Sequence, residues 1–240
     1  MKCEEILKLT DRLLKIAELC ENSRSVIDVG CDHAKLPIYL IENGIIERAV
    51  ATDIKEGPIK NARKNIEANG LSDRIRTNLS NGLDGLSRDD GDTVIIAGMG
   101  GEEISFIISK AQWTRDRDVT LILQPMTMEH KLRAFLRENG YKTERECVAV
   151  EGKKVYIILK ARFEGGEIPI ENYDLFSNAL VKDENRVYYI KKLINRYQKM
   201  QNGHIASKGE KSEELAQKLS LLSDILQKTE DNEVWHRTVL

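Results

Sequence analysis

Residues 26–37 read Val-Ile-Asp-Val-Gly-Cys-Asp-His-Ala-Lys-Leu-Pro and carry the strongest structural signal in the sequence. An apolar run ends in Asp-x-Gly, turns tightly and leads into a helical pattern. In an open parallel sheet, ligands bind in the crevice beyond the carboxyl ends of such strands. Gly30 lets the backbone pass close to a ligand, because a Cβ would block that approach. We therefore expect a ligand site immediately after residue 29.

Similar strand–helix units follow along the chain. Short Val/Ile/Leu-rich runs are typical of parallel strands covered on both faces, and helical patterns fill the gaps between them. Such units imply a right-handed, Rossmann-like, doubly wound α/β sheet. The predicted strands are Ser25–Val29, Ala49–Ile54, Ile75–Leu79, Thr93–Ala97 and Val119–Leu123, and the clearest helices are Leu7–Leu19, Pro58–Asn69 and Glu129–Asn139. Two further strands, Tyr141–Glu151 and Val155–Phe163, are predicted to close the sheet as an antiparallel hairpin.

The chain changes character after Gly165-Gly166. Apolar residues then recur at spacings of three and four in two segments, which predicts an antiparallel, coiled-coil-like helical hairpin. Asn202-Gly203 and Lys208-Gly209 are expected to break these helices. We assign residues 1–166 to a Rossmann-like domain, 167–232 to a small helical domain and 233–240 to a tail.

Charge and cysteine usage exclude several classes of protein. Lys+Arg total 37 against Asp+Glu 39, so the chain is not a uniformly basic nucleic-acid coat. The segment from Lys182 to Lys211 nevertheless contains eight basic residues and only three acidic ones. This basic segment is either a solvated helix face or a contact with RNA. The four cysteines lie far apart, and no apolar run approaches the length of a membrane span. We expect a soluble cytoplasmic protein that holds no metal.

The turn after residue 29 disfavours phosphate-bearing ligands. The second and third glycine positions of the dinucleotide fingerprint G-x-G-x-x-G hold Asp32 and Lys35. A pyrophosphate would meet a carboxylate there, so a nicotinamide-dependent dehydrogenase is disfavoured. A nucleoside without phosphates would be tolerated. His33 has no second His or Cys at a metal-ligand spacing, and we expect it to brace the loop, although its neighbour Asp32 leaves proton transfer open.

The later strand ends carry polar residues that suit a nucleoside. Asp53 can accept both hydrogen bonds of a ribose diol, or it can simply cap the next helix. Asn81-Gly82 can read an adenine edge, or form a plain turn. Residues 98–101 and 124–126 could form a slot for a flat base, with Met99 and Met126 as apolar walls and Gln124 as the hydrogen-bonding group, or they could merely terminate the two strands.

Three motifs together resemble the bacterial tRNA (adenine-22-N1)-methyltransferase family. They are Asp-Val-Gly-Cys-Asp-His-Ala-Lys-Leu-Pro at 28–37, Ala-Gly-Met-Gly-Gly at 97–101 and Leu-Gln-Pro at 123–125, and the likeness covers nearly the whole chain. The resemblance implies S-adenosylmethionine as cofactor and tRNA as substrate. It implies cofactor binding by Asp28, Gly30, Asp32, His33, Leu36, Asp53, Ile54, Asn81, Gly82 and Gly98. It places Met99, Gln124 and Pro125 at the reacting base, and Lys35, Lys191, Lys192 and Arg196 against the tRNA.

The implied reaction needs alignment more than acid–base chemistry. N1 of neutral adenine is already a nucleophile, so we expect the protein to position it against the reactive methyl group, with the adenine taken out of its stack. Two alternatives stay open: a methyltransferase with another RNA base, a protein or a small molecule as substrate, and a non-catalytic RNA-binding protein that retains a nucleoside pocket. We expect a monomer.

Overall fold

The computed structural model describes residues 9–166, 175–176, 180 and 183–238, with side chains up to Thr229. Its strands are β1 Ser25–Val29, β2 Arg48–Asp53, β3 Ile75–Leu79, β4 Thr93–Gly100, β5 Thr120–Thr127, β6 Tyr141–Glu151 and β7 Lys154–Phe163. Its helices are α1 Asp11–Leu19, α2 Lys35–Glu42, α3 Glu56–Ala68, α4 Gly101–Lys110, α5 Glu129–Glu138, α6 Arg186–Lys208 and α7 Glu213–Thr238. The predicted start of the first helix, Leu7, lies outside the described residues.

The seven strands form one sheet in the order β3-β2-β1-β4-β5-β7-β6. β1 to β5 run parallel, whereas β7 inserts antiparallel between β5 and β6. The predicted Rossmann-like sheet with its antiparallel hairpin is confirmed. The strand order reverses between β1 and β4, which makes their carboxyl ends the topological switch point where ligands bind in such sheets.

Alternate residues of each buried strand face two different hydrophobic cores. Ile27 packs in the core that includes α4 and α5, and its neighbour Val26 packs in the core that includes α1, α2 and α3. All five residues of β1 are buried, as the continuous apolar run predicts. Asp28 points into the same layer as Val26, toward α1 and α2.

β4 and β5 extend beyond their predicted ends at Ala97 and Leu123. They continue to pair through Met99 with Pro125 and Gly100 with Thr127, with register irregularities on both sides of Met99. The predicted strand ends before Gln124 because that residue is polar. In the structure, the Gln124 side chain is fully buried and hydrogen-bonded, so the strand continues through it. Bulged strand ends of this kind are common beside active sites.

The helical hairpin forms, but one of its predicted boundaries is wrong. α6 runs through Asn202-Gly203 without a break, since one interior glycine costs only about 1 kcal/mol and packing against α7 offsets it. The chain reverses at Gly209, whose φ is +78°, and the Gln201 side chain exchanges two hydrogen bonds with the main chain of Ser212. α7 continues across residue 232, so the predicted tail begins inside a helix.

Two ion pairs tie α6 to α5, and α5 to the sheet. Arg133 of α5 donates to Glu146 of β6 at 2.9 Å, with both side chains almost fully buried, and also to the hydroxyl of Tyr189 on α6. Arg196 of α6 contacts both carboxylate oxygens of Glu129 at 2.6 and 3.3 Å. Although burial alone would raise the pKa of Glu129, the hydrogen bond from Arg196 lowers it. The base of α6 is therefore held in a fixed place.

The apolar face of α6 belongs to the same continuous core as the sheet: Tyr189, Ile190 and Leu193 are buried in it. The division into domains at residue 166 stays a prediction. Among the helices that the structure describes, none is both long and apolar enough to cross a membrane.

Candidate cofactor and base-binding site

A pocket of about 240 Å³ opens at the carboxyl ends of β1 and β4, beside the start of α1. It brings together seven residues predicted from the sequence and adds Thr10, Arg12 and Leu13 of the α1 region, which sequence reasoning missed. The predicted residues in its lining are Asp28, Gly30, Asp32, His33, Lys35, Leu36 and Gly98.

The carboxyl group of Asp28 is the unusual feature of this pocket. It is 6% exposed, and no hydrogen bond reaches it from any residue that the structure describes. Burial, together with the nearby charge of Asp53, raises its pKa to about 7. A buried carboxyl group without a partner costs free energy unless a ligand satisfies it. Asp28 therefore indicates a binding site for a cation or a hydrogen-bond donor.

The loop after β1 is held in a costly conformation. Gly30, Asp32 and Ala34 have φ values of +76°, +49° and +54°. Only glycine adopts such angles without strain, so the two other residues cost roughly 1–2 kcal/mol each. The loop is anchored by hydrogen bonds from the Gly30 and Cys31 amides to the carbonyl of Thr52. Strain of this kind is concentrated at functional sites.

His33 lies on this loop as a brace. Its carbonyl oxygen accepts a 2.9 Å hydrogen bond from the side chain of Asn65 on α3. Its Nε2 lies 3.5 Å from Oδ1 of Asp32, which is mostly exposed. The contact is long for a hydrogen bond, so the structure gives His33 a positioning role through its main chain.

A buried network joins α1 to the ends of β4 and β5. The amide oxygen of Gln124 accepts hydrogen bonds from Nη1 of Arg12 at 2.7 Å and from the backbone N–H of Gly98 at 3.1 Å. Its amide nitrogen donates to the carbonyl of Pro125 at 2.8 Å. Gln124 was predicted to hydrogen-bond a base, but its amide is fully buried and both ends are occupied. Its observed part is to position Arg12 and the Gly98 loop.

Met99 closes the space between β1 and β4. A Cβ added at Gly30 would lie 2.6 Å from Cε of Met99, so the glycine is required by this contact as well as by its φ. Pro125 is buried beside Met99 in the β4–β5 register. Met99 and Pro125 thus form an apolar surface at this point. Met126, the other wall predicted for a flat base, is 45% exposed and lines a different cavity beside α6. The slot for a base stays a prediction.

The rim beyond β2 and β3 carries the remaining predicted residues. Oδ1 of Asp53 accepts the backbone N–H of Lys55 at 2.9 Å, and no described residue hydrogen-bonds its Oδ2. Ile54, the next residue, is 61% exposed, which leaves a flat apolar surface beside this carboxylate. Asn81 is exposed, and Gly82 packs on Ile107 of α4 with a φ of +61°. The rim therefore extends the pocket with an acceptor, an apolar face and an amide.

Two other kinds of site, a metal centre and a nucleophilic thiol, find no support among the described residues. No three His, Cys, Asp or Glu side chains there gather as metal ligands. Burial raises the pKa of the Cys31 thiol beside the pocket, so this sulfur stays protonated rather than nucleophilic.

The comparisons with known proteins agree with this geometry. Residues 9–159 match the model of the family described as "Methyltransferase domain". The tRNA (adenine(22)-N(1))-methyltransferase of Bacillus subtilis strain 168 is 29% identical over 233 residues, covering 92% of this chain and 98% of the relative. The chain belongs to this tRNA methyltransferase family.

Two solved structures of the family are similar over almost their whole length. A Streptococcus pneumoniae protein, described as a candidate tRNA (m1A22) methyltransferase in complex with S-adenosyl-L-methionine, is 30% identical with a TM-score of 0.78. The match covers 91% of this chain and 100% of that one. An M. capricolum relative in complex with S-adenosyl-homocysteine is 26% identical, with a TM-score of 0.74 and coverage of 91% and 98%.

In this member of the methyltransferase family, Arg12 and Asn65 are the polar helix residues that sequence reasoning missed, besides Thr10 just before α1. Both lie on helices, one before β1 and one after β2, and neither belongs to a strand-end motif. Arg12 interrupts an otherwise apolar helical stripe in the first turn of α1, which is the one signal that could have indicated it.

Proposed function

We propose that this protein transfers the methyl group of S-adenosylmethionine to N1 of adenosine 22 in tRNA. The observation that carries the proposal is the buried, unpartnered carboxyl group of Asp28 in a pocket at the sheet's switch point. The family relationship supplies the substrate, because the Bacillus subtilis relative is named for this reaction.

The residues present fit the cofactor. The methionine end of S-adenosylmethionine carries an ammonium and a carboxylate, and the pocket offers Asp28 and Arg12 for these opposite charges. Nη1 of Arg12 donates to Gln124, and no described residue accepts a hydrogen bond from its Nε or Nη2. The volume of about 240 Å³ is below the roughly 300–1,000 Å³ of whole small-molecule sites, so this pocket suits only part of the ligand.

The adenosine end fits the open rim. Asp53 can accept from the ribose hydroxyls through its unused Oδ2, and Ile54 offers an apolar surface for the adenine. Asn81 can hydrogen-bond the adenine edge. This assignment keeps the cofactor along one continuous line of strand ends, from β4 and β1 to β2 and β3.

The cofactor supplies a methyl group on a positively charged sulfur. The protein's task is to hold N1 of the adenine in line with that methyl group, and positioning of this kind can lower a barrier by roughly 7–11 kcal/mol. Met99 and Pro125 exclude water from the N1 lone pair, and they carry no charge that would oppose the positive charge that the base acquires. No side chain needs to remove a proton, because N1 attacks through a free lone pair.

The target adenine must leave its stack, since N1 lies on the Watson–Crick edge. The residues that would hold the surrounding tRNA include Lys35, which is exposed at the start of α2 beside the pocket. Lys191, Lys192 and Arg196 stay predictions as tRNA ligands. Arg196 is paired with Glu129, and Lys192 donates to the carbonyl of Val155, so both also stabilise the fold.

The proposal is tested by incubating the purified protein with S-adenosylmethionine and an unmodified tRNA transcript. Digestion to nucleosides, mass analysis and primer extension should show 1-methyladenosine at position 22. A transcript with guanosine at this position is the matched control and should remain unmethylated. Methylation of another base or of protein would replace the proposed substrate. Cofactor binding without any methylated product would favour a non-catalytic RNA-binding protein.

A tRNA substrate places the reaction in the cytoplasm, where tRNA is found. The three cysteines that the structure describes, Cys20, Cys31 and Cys147, are free and buried, which suits that compartment. The monomeric state stays a prediction that light scattering of the purified protein can test.

A further inference from the structure

A second and larger cavity, of about 800 Å³, lies between α6 and the turn that joins β6 to β7. We call it the α6 groove. Its described lining contains no Asp or Glu, and six of its residues are cations: Lys153, Lys154, Lys191, Lys192, Arg196 and Lys199. In a chain of net charge −2, such a concentration of one sign marks a site for a polyanion.

The cations of the α6 groove fall into two groups. Arg196 and Lys192 are engaged by Glu129 and the Val155 carbonyl, and burial lowers the pKa of Lys192. Lys153 and Lys199, in contrast, form no ion pair with any carboxylate that the structure describes, and Lys154 lies opposite Glu151 in the β6–β7 hairpin without an ion-pair contact to it. Lys153 and Lys154 face the groove from the β6–β7 turn, and Lys199 faces it from α6. Backbone phosphates that enter the groove would therefore meet cations on both sides.

The floor of the α6 groove is apolar and includes exposed aromatic surface. Tyr188 is 54% exposed, Met200 50% and Met126 45%, which are large values for such side chains. Unpaired bases stack on aromatic side chains, whereas paired bases are hidden inside a helix. An acidic peptide would use the lysines but would have no use for Tyr188. The combination of lysines and an exposed tyrosine therefore favours single-stranded nucleic acid.

The α6 groove and the cofactor pocket share a wall. Tyr156 lines the groove, and its ring centroid lies 5.6 Å from the guanidinium carbon of Arg12, which lines the pocket. Met126 lines the groove, and its sulfur lies 3.6 Å from the amide nitrogen of Gln124. An RNA segment in the groove would thus end next to the Arg12 side of the pocket.

We infer that the α6 groove binds an unpaired segment of the RNA substrate next to the target adenosine. One base stacks on Tyr188, while Lys153, Lys154 and Lys199 contact the flanking phosphates. The inference rests on the proposed function for the identity of the RNA, and it adds the place and the manner of binding. Stacking gives affinity without strict sequence preference, so the groove tolerates different tRNAs.

The test of the stacking contact compares Tyr188→Ala with Tyr188→Phe in direct binding of labelled, unmodified tRNA. Loss of the ring should weaken tRNA affinity roughly 5- to 150-fold, the range of one base–aromatic stack, whereas phenylalanine should stay within about twofold of the wild type. The affinity for S-adenosylmethionine, measured by calorimetry, should not change in either variant. If Tyr188→Ala binds tRNA as the wild type does, the stacking contact is overturned.

The test of the phosphate contacts uses the double variant Lys153→Gln/Lys154→Gln. Its matched control, Lys60→Gln/Lys64→Gln, removes the same charge from exposed positions on α3. The groove variant should bind tRNA more weakly, with the slope of log affinity against log salt reduced by roughly 1.4, since each phosphate contact to a single strand contributes about 0.7. Equal slopes for the groove and control variants would overturn the phosphate contacts.

These binding measurements are independent of methyl transfer. If the wild type forms no 1-methyladenosine, the proposed function fails, yet the groove variants still decide where RNA binds. If the wild type methylates tRNA and the groove variants bind and methylate like it, the groove inference alone fails. Poly-glutamate can be used to displace bound tRNA. If it displaces tRNA equally well from the wild type and from Tyr188→Ala, the groove is a general anion site instead.

Discussion

The two ends of the parallel sheet carry cavities of opposite character. At the amino end, a cavity of about 560 Å³ is lined by Arg24, Arg48, Arg88 and Asp92, among others. The carboxylate of Asp92 accepts hydrogen bonds from the amides of Arg24 and Ser25 and from two hydroxyl groups. At the carboxyl end, the smaller pocket of about 240 Å³ holds Asp28, which has no such partner among the described residues.

The two cavities differ in whether their polar groups already have partners, not only in size. At the amino end, Arg24 pairs with Glu47, Arg48 donates to the carbonyl of Asp89, and Arg88 pairs with Asp116. These polar groups stabilise the fold and leave little for a ligand to satisfy. At the carboxyl end, an unsatisfied carboxyl group and a strained loop lower stability, and a bound ligand can recover that free energy.

The largest effect is expected at Asp53. Asp53→Ala removes the acceptor for two ribose hydroxyls, and charge-assisted hydrogen bonds contribute about 1.5–3 kcal/mol each, so the affinity for S-adenosylmethionine should fall at least roughly 100-fold. Calorimetric titration measures the change. Asp53→Asn keeps one acceptor oxygen and the hydrogen bond to Lys55, so its affinity for S-adenosylmethionine should lie between those of the wild type and Asp53→Ala. Equal affinity in Asp53→Ala and the wild type would remove the ribose assignment.

Matched substitutions at the two ends test the comparison itself. Asp28→Asn should weaken cofactor binding but stabilise the free protein above pH 7, because ionising a carboxyl group whose pKa lies near 7 costs stability there. Asp92→Asn should leave cofactor binding intact. It should lower the free energy of unfolding by about 1–3 kcal/mol, because the backbone amides of Arg24 and Ser25 lose a hydrogen-bond acceptor. Thermal unfolding at pH 5.5 and 8.5 separates the two variants. A loss of stability in Asp28→Asn at pH 8.5 would contradict the assignment.

The pH dependence of binding should report the same carboxyl group. Its pKa is raised to about 7, so it is neutral below that pH and binds an ammonium group poorly. The affinity for S-adenosylmethionine should therefore fall as pH drops, by up to about tenfold for each unit below pH 7. The pH range below 7 also lies below the pKa of an ordinary α-amino group, about 7.7–8.0, so the loss of affinity is not caused by titration of the ammonium group. Asp28→Asn should be flat over the window, and a persistent slope in that variant would assign the effect elsewhere.

The smallest effect compares two glycines of similar conformation. Gly30 and Gly44 have φ values of +76° and +68°, but only at Gly30 would a Cβ approach another side chain, that of Met99. Gly44→Ala should cost about 1 kcal/mol of stability from the backbone alone and leave activity unchanged. Gly30→Ala should cost the same and, because Met99 must move, also lower kcat severalfold. If both variants keep full kcat, the Met99 wall does not position the base.

Much of the site could be predicted because strand ends have local signatures. Asp28, Gly30 and Asp53 follow apolar runs, and parallel strands bring their carboxyl ends to one edge. Arg12 could not be found in this way, because its approach to Gln124 joins residues 112 positions apart in sequence. Gln124 was predicted just beyond the end of a strand but lies inside β5, and its burial and its hydrogen bond to Arg12 of α1 are long-range features that no local pattern shows.

The helical hairpin shows the same limit for the fold. Asn202-Gly203 has the composition of a turn, so a break was predicted there. The continuous helix depends on contacts with α7, formed by residues further along the chain, and on the Gln201–Ser212 hydrogen bonds. Local composition indicates where a helix can end, whereas the packing of the partner helix decides where it does end.

The buried pair of Arg133 and Glu146, with Tyr189 against it, has a consequence for how the protein selects its RNA. The pair, which costs about 3–5 kcal/mol to break, fixes α5 on β6, and α6 is tied to α5 by the Tyr189 hydroxyl and by the Arg196–Glu129 pair, so α6 stays in a fixed place on the sheet. The span from the α6 groove to the methyl donor is then a constant length. On the inferred binding of RNA in the α6 groove, an RNA is accepted when its own folded shape matches that length, so that distance rather than the reading of bases would select it.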